Sequence, residues 1–114
     1  MRNTNPQPAA LFRQGDVLIR RVRWLPKEAK DITPKGRIVL AYGEVTGHAH
    51  AIADGEVREF SMADAANVTR RFLSVVKEAT VRHEEHAPIP LPPGVYEIVQ
   101  QREYTPEAIR NVAD

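Results

Sequence analysis

The chain has 114 residues, of which 42% are hydrophobic and 27% are charged, and it contains no cysteine. A chain of this length makes one globular domain, and the missing cysteines exclude a disulfide scaffold, thiolate metal clusters and thiol catalysis. The formal net charge is only +1, but residues 1–40 hold nine Lys and Arg against three Asp and Glu, whereas residues 41–114 hold seven against twelve. This asymmetry indicates either a basic face for an anionic partner or attraction between the two halves.

The first ten residues show no periodicity, so we expect a flexible N-terminal arm followed by a single β domain over residues 11–114. This arm lacks the apolar stretch of a signal peptide. The longest apolar run, over residues 38–42, is far shorter than the roughly 20 residues of a membrane span. We therefore expect a cytoplasmic protein that makes no membrane contact.

Short β-branched and alternating segments, separated by glycine and proline, predict about seven strands. The predicted strands cover residues 17–24, 37–42, 48–53, 57–60, 68–76, 79–83 and 95–100. This spacing predicts an all-β fold, either a small barrel or a jelly-roll-like sandwich. The sequence Thr105-Pro106-Glu107 adds a short C-terminal helix, because it offers a hydroxyl cap, a first-turn proline and an acid.

Three connections between these strands carry predictions of their own. Asp54-Gly55 predicts a two-residue hairpin turn, because both residues tolerate positive φ. Residues 61–67 predict either a helical turn capped by Ser61 or a hairpin loop. Residues 87–93 contain four prolines, which cannot donate ladder hydrogen bonds, so this segment is expected at a sheet edge or in a crossing connection.

The four histidines fall into two close pairs, His48-Ala49-His50 and His83-Glu84-Glu85-His86. Side chains two apart on a strand share a face, so His48 and His50 project together. His83 and His86 share a face only if a bulge or turn redirects the chain between them; otherwise His83 and Glu85 share one face. Imidazole without thiolate favours a divalent transition metal, namely zinc, iron, manganese or nickel.

The His-x-His pair on a strand of a small glycine-rich β domain resembles the first metal-binding motif of the cupin superfamily. In cupins a carboxylate a few residues later and a histidine from a later strand complete the site. The resemblance therefore implies Asp54 as the acid and His83 or His86 as the later histidine. Here the acid is Asp rather than Glu, and the later histidine precedes a Pro-Pro-Gly sequence instead of following it.

A second resemblance covers more of the chain. The strings GEVTGHAHAI, HEEHAPIPLPPGVYEIVQQREY and TPEAIRNV resemble those of small uncharacterised bacterial proteins. It implies a self-contained domain and assigns no chemistry.

The leading functional hypothesis is a metal-binding, cupin-like protein, and whether it is an enzyme stays open. The candidate metal ligands are His48, His50, His83 and His86, with Glu85 or Asp54 as a carboxylate ligand or an orienting partner. In an enzyme, an open coordination position would activate water or dioxygen for a small polar substrate. The other interpretations of the histidines are surface decoration and a metal-free, pH-sensitive cluster.

The competing function is a non-catalytic binding or assembly module whose histidines lie at a subunit or partner contact. Short strands leave sheet edges that pairing of subunits covers, so we expect a homo-oligomer. The basic N-terminal half would dock an acidic protein. A nucleic-acid binder ranks third, because alternating arginines of an amphipathic strand more simply face water. The basic patch that suggests it comprises Arg20, Arg21, Arg23, Trp24, Lys27 and Lys30.

Overall fold

The computed structural model describes residues 11–43 and 47–100, and within these ranges the chain forms ten β-strands and no helix. The strands are β1 (Leu11–Gln14), β2 (Val17–Val22), β3 (Lys30–Asp31), β4 (Ile38–Tyr42), β5 (Ala49–Ile52), β6 (Glu56–Ala63), β7 (Thr69–Lys77), β8 (Ala79–His83), β9 (His86–Leu91) and β10 (Gly94–Gln100). The all-β prediction is confirmed. The predicted N-terminal arm and the predicted helix after Thr105 lie outside the described residues.

The strands form two antiparallel sheets. The six-stranded sheet has the order β1-β2-β10-β7-β6-β3, and the four-stranded sheet has the order β4-β5-β8-β9. Neither sheet closes on itself within the described ranges, so the predicted small barrel is not seen there. The part of the chain that the structure describes also holds no helix long and apolar enough to cross a membrane.

The hydrophobic core lies between the two sheets, because strands of both sheets contribute buried apolar side chains to one cluster. On β2, Val17 and Ile19 are fully buried, while Arg20 on the opposite face is exposed. The six-stranded sheet also contributes Leu73, Val75, Tyr96 and Ile98, and the four-stranded sheet contributes Ile38, Leu40, Ile52, Val81 and Leu91. Each large apolar side chain stabilises the fold by about 1.5–3 kcal/mol on burial, which makes this layer the main source of stability.

The predicted hairpin at Asp54-Gly55 is wrong. β5 belongs to the four-stranded sheet, whereas β6 belongs to the six-stranded sheet and pairs with β7 and β3. The chain crosses between the sheets at Asp54-Gly55 and crosses back at Glu78, between β7 and β8. Gly55 does have positive φ, at 74°, but this conformation serves a corner between two sheets instead of a hairpin.

The other two predicted connections are confirmed. Residues 61–67 take the hairpin alternative, since β6 runs to Ala63 and pairs with β7. The carboxylate of Asp64 closes this loop by accepting hydrogen bonds from the backbone N–H groups of Ala66 and Val68. The proline-bearing segment forms β9, which is an edge strand of the four-stranded sheet.

Arginines of the predicted basic patch are engaged within the protein. The Arg20 guanidinium binds the carboxylate of Glu97, which also receives two hydrogen bonds from Arg70. Arg21 donates to the carbonyl of Pro93. These contacts account for two of the five cations that suggested a nucleic-acid interface.

Candidate functional site

The second histidine pair is brought together by a two-residue turn. Glu84 and Glu85 connect β8 to β9, and His83 pairs directly with His86 across the hairpin. Directly opposed residues of antiparallel strands place their side chains on the same face. The centres of the two imidazole rings are accordingly 4.7 Å apart. The alternative in which a turn redirects both rings to one face is therefore confirmed.

The first histidine pair meets the second because β5 lies beside β8 in the four-stranded sheet. The ring of His50 is centred 4.2 Å from that of His83 and 5.8 Å from that of His86. The ring of His48 is centred 5.6 Å from that of His83 and is perpendicular to it. These four rings form one continuous group, which we call the histidine cluster.

His50 is the buried member of the histidine cluster, with only 3% of the residue exposed. Its Nδ1 lies 2.8 Å from Oε1 of Gln14, which is also buried. The side-chain N–H groups of Gln14 already donate to the carbonyls of Val81 and Ala87. The Gln14 oxygen must therefore accept from His50, so Nδ1 of His50 carries the proton and Nε2 keeps its lone pair. Proteins orient metal-binding imidazoles in this way.

Burial lowers the pKa of His50, and the nearby ring of His83 lowers it further. The carboxylate of Asp16, whose Oδ1 lies 3.8 Å from Nε2 of His50, opposes this shift. Because the net shift is downward from an ordinary value of 6.5, His50 is neutral near pH 7. The neutral imidazole is the form that binds a metal ion.

His83 has the opposite proton arrangement. Its Nδ1 accepts a hydrogen bond of 3.0 Å from the backbone N–H of Glu85. The neutral ring therefore carries its proton on Nε2. A metal ion bound to Nε2 would require this proton to leave and Nδ1 to become the protonated atom. Metal binding at His83 would consequently break the hydrogen bond from Glu85.

Among the described residues, three carboxylates border the histidine cluster. Glu84 accepts a hydrogen bond of 3.1 Å from the backbone N–H of Ala49, and backbone hydrogen bonds are the main cause of its lowered pKa. Glu85 places Oε2 3.4 Å from Nδ1 of His48, and Asp16 lies beside His50 as described above. His48, His83 and Glu84 each have one potential metal-ligating atom, and these three atoms lie within 4.8 Å of one another. Ligands of a tetrahedral ion are about 3.4 Å apart, so a small contraction would complete a three-ligand site.

Two glycines make room for the imidazoles. A Cβ atom on Gly15 would lie 3.0 Å from Nε2 of His86 and 3.5 Å from Nε2 of His50. A Cβ atom on Gly43 would lie 3.1 Å from Nε2 of His83 and equally close to the Cβ of His48. Any larger residue at either position would press on the rings. The space that these glycines leave is thus part of the site.

Five of the six sequence-predicted ligands lie together. They are His48, His50, His83, His86 and Glu85. Asp54 lies beyond the other end of β5, about 13 Å along the strand from His50, and its carboxylate accepts a hydrogen bond from the backbone N–H of Thr80. The carboxylate of Asp54 therefore lies at the corner between the two sheets.

Sequence reasoning missed Glu84, Asp16 and Gln14. The position of Glu84 between two histidines was a usable signal, because a two-residue turn there places it at the site. No spacing in the sequence indicates Gln14 or Asp16, since both reach the site from the β1–β2 hairpin. Their proximity depends on how the two sheets pack.

The family model described as "Domain of unknown function (DUF8820)" matches residues 13–101, and the chain therefore belongs to this family. No curated protein matches the chain. No solved structure matches it either. The expected resemblance to small uncharacterised proteins agrees with the family match, while the cupin resemblance stays a prediction.

Proposed function

We propose that this member of the family binds a divalent transition-metal ion at the histidine cluster. One observation carries the proposal, namely that donor atoms of His48, His83 and Glu84 lie within 4.8 Å of one another. The rings of His50 and His86 adjoin this group and offer further imidazole nitrogens. These residues come from two chain segments more than thirty positions apart, so their convergence is a property of the fold.

The donor set favours particular metals. Imidazole nitrogen and carboxylate oxygen without thiolate suit zinc, iron, manganese or nickel better than copper(I). The carboxylates of Asp16 and Glu85 lie within about 4 Å of ring nitrogens and would offset the charge of the ion. Two histidines and one carboxylate leave coordination positions open, as in sites that bind and activate water. This supports a catalytic role on a small polar substrate.

The experiment is a metal titration of untagged protein that has been freed of metal with a chelator and then dialysed. Calorimetry with zinc, manganese, nickel or ferrous ions is expected to give one ion per chain for at least one of them. The double variant His48→Ala/His83→Ala is expected to weaken binding at least about 100-fold, since losing even an orienting partner costs 10–100-fold. Glu56→Gln is the matched control, because Glu56 is an exposed carboxylate paired only loosely with Lys77.

The opposite results are equally clear. The proposal fails if no ion raises the melting temperature or gives a binding isotherm with the unmodified chain. It also fails if the double variant, shown by circular dichroism to be folded, binds the same ion as tightly. Elemental analysis of the protein as purified gives an independent count of bound metal.

The hydrogen bond from Glu85 to His83 favours a second candidate, a metal-free imidazole cluster. The two candidates differ in what zinc does to that bond. A metal ion on Nε2 of His83 breaks it and shifts the amide resonance of Glu85 strongly, whereas a metal-free cluster leaves this resonance unchanged on addition of zinc. Nitrogen-15 NMR of the labelled protein measures the position of the Glu85 amide resonance before and after zinc is added.

A further inference from the structure

A groove of about 300 Å³ crosses the outer face of the four-stranded sheet, on the side of β5 that faces away from the core. Ala49, Ala51 and Ala53 form its floor, because they alternate with the buried His50 and Ile52; Ala53 is exposed, whereas Ala49 and Ala51 are almost fully buried. Arg37, Arg82, His83 and Glu84 complete its lining. The groove therefore reaches two members of the candidate metal site from outside the sheet.

The two arginines lie on opposite sides of β5. Arg82 on β8 pairs directly with Ala51. Arg37 precedes β4, whose first residue pairs with Ile52, so the register places it beside Ala53. Their backbones are separated by two strand spacings, about 10 Å, across the sheet and by about 7 Å along it, which gives about 12 Å in all.

The side chains of Arg37 and Arg82 have no hydrogen-bond or ion-pair partner among the residues that the structure describes. By contrast, Arg58, Arg70 and Arg71 each bind a carboxylate with two nitrogen atoms. An unpaired guanidinium presents a planar fork of donors that fits a carboxylate or a phosphate. The guanidinium groups of Arg37 and Arg82, which both line the groove, therefore provide a binding site for an anion.

The two ends of the groove carry opposite charges. Glu84 binds the backbone N–H of Ala49 at one end, while Arg37 lies beside Ala53, about 13 Å along the strand at the other end. The negative charge of Glu84 repels a second anionic group at its own end. The lining therefore suits a ligand that carries a negative charge at one end only. The ligand must also be small, because the groove volume of about 300 Å³ is at the lower limit for ligand pockets.

We propose that this groove binds a small organic monocarboxylate. Its carboxylate lies between Arg37 and Arg82, its hydrocarbon body lies on the alanine floor, and its other end reaches His83 and Glu84. The binding itself does not require a metal ion. The assignment of this groove as the substrate subsite of the metal centre rests on the proposed function.

The test uses the full metal-free chain and the probe butyrate, followed by nitrogen-15 NMR. Butyrate is expected to shift the amide resonances of Ala51, Ala53 and Arg82 saturably, with a dissociation constant in the millimolar range. Arg37→Gln/Arg82→Gln is expected to weaken this binding at least tenfold, and Arg58→Gln, which alters an arginine outside the groove, is expected to leave it unchanged. Ala53→Leu, which fills the groove from an exposed position, provides a second variant expected to block binding.

Three results would overturn the groove assignment. The first is an absence of saturable shifts with butyrate, and the second is equal affinity for the uncharged isostere butanol. The third is inorganic phosphate binding as tightly as butyrate, because the alanine floor would then contribute nothing.

Failure of the groove and failure of the metal centre are distinguishable. If metal binds and butyrate does not, the groove assignment is wrong and the proposed function stands. If butyrate binds and no metal does, the groove stands and only the substrate-subsite assignment is lost. With manganese bound, the subsite assignment further requires strong relaxation of the methyl protons of bound butyrate, and normal relaxation of those protons would contradict it.

Discussion

Gln14 shows how one buried amide can organise the histidine cluster. It accepts from His50 on β5 and donates to carbonyls of Val81 on β8 and Ala87 on β9. It therefore links the six-stranded sheet to three segments of the four-stranded sheet at once. The same hydrogen bonds determine which nitrogen of His50 carries the proton.

Replacement of Gln14 by Leu is expected to lower the free energy of unfolding by about 2–4 kcal/mol, because two buried groups, the Val81 carbonyl and the His50 ring, and the partly buried Ala87 carbonyl lose their partner. It is also expected to weaken metal binding, since the imidazole of His50, which adjoins the three-ligand group, loses its orienting contact. Urea denaturation and calorimetric titration measure the two effects. Gln100→Leu is the control, because the hydrogen bond from the side chain of Gln100 to Asp16 is exposed. Equal stability of the two variants would contradict this role for Gln14.

The lowered pKa of His50 predicts how stability depends on pH. An unfolded chain takes up a proton at this residue near pH 6.5, whereas the folded chain does so at a lower pH. The stabilising contribution is therefore fully present above about pH 6.5 and is lost as the pH falls from there towards the folded-state pKa. In chelator-treated protein, the free energy of unfolding is expected to decrease between about pH 7.5 and pH 5.5, by at most about 1.4 kcal/mol per pH unit from this group.

His50→Gln is expected to flatten that dependence, because the variant has no proton to gain at this position. His86→Gln removes only a smaller cause of the lowered pKa of His50, so it is expected to flatten the dependence less than His50→Gln does. Denaturation midpoints across the pH range provide the measurement. An unchanged pH dependence in His50→Gln would show that the loss of stability comes from other groups.

At the level of elements, a long bent ribbon positions the site. The β6–β7 hairpin continues past the corner as the β5–β8 pair, so one ribbon contributes strands to both sheets. The corner depends on close approach of the backbones, since a Cβ on Gly55 would lie 2.5 Å from the carbonyl oxygen of Glu78. The bend directs the far end of the ribbon, with His50 and His83, over the β1–β2 hairpin.

Gly55→Ala is expected to destabilise the protein by about 2–4 kcal/mol, because it combines positive φ with a backbone collision. Gly36→Ala is the matched control, since a Cβ there meets nothing within 4 Å and its φ is not positive. The control is expected to change stability by no more than about 0.5 kcal/mol. Thermal unfolding of both variants measures the difference. A Gly55→Ala protein as stable as the control would mean that the corner relaxes freely.

Local patterns predict most of the strands, and their limits follow from the same physics. Runs of strand-forming residues predict β2, β4 and β7, and apolar–polar alternation predicts β10, because it indicates which face of the strand is buried. The Asp54-Gly55 signal reports only that the backbone needs positive φ, and it contains no information on which sheet the next strand joins. Likewise, the paired histidines predict a shared site, but Gln14 and Asp16 enter it through sheet packing, which no short segment encodes.

At the scale of the whole molecule, Arg71 connects the two sheets. It lies on β7 of the six-stranded sheet, binds the buried carboxylate of Glu59, and donates to the carbonyls of Val39 and Leu40 on β4 of the other sheet. Consecutive carbonyls of a regular strand point in opposite directions. The β4–β5 register shifts between Val39 and Ala41, and this irregularity lets both carbonyls face one guanidinium.

The bulge that Arg71 stabilises comes directly before the pair formed by Ala41 and His50, so the register of His50 depends on it. Arg71→Ala is expected to lower the free energy of unfolding by about 2–4 kcal/mol, because a buried carboxylate and two carbonyls lose their partner. Arg58→Ala is the matched control, since Arg58 also binds a carboxylate with two nitrogen atoms, but at the surface, where such a pair contributes at most about 1 kcal/mol.

Urea denaturation of both arginine variants measures these losses, and Arg71→Lys is expected to fall between them because it keeps the charge without the planar fork. The effect should also reach the histidine cluster. In Arg71→Lys, NMR is expected to show shifted ring resonances of His50, whereas Arg58→Ala leaves them unchanged. Stability losses of similar size in the Arg71→Ala and Arg58→Ala proteins, with unaltered His50 resonances in Arg71→Lys, would mean that the sheets hold their relative position through apolar packing alone.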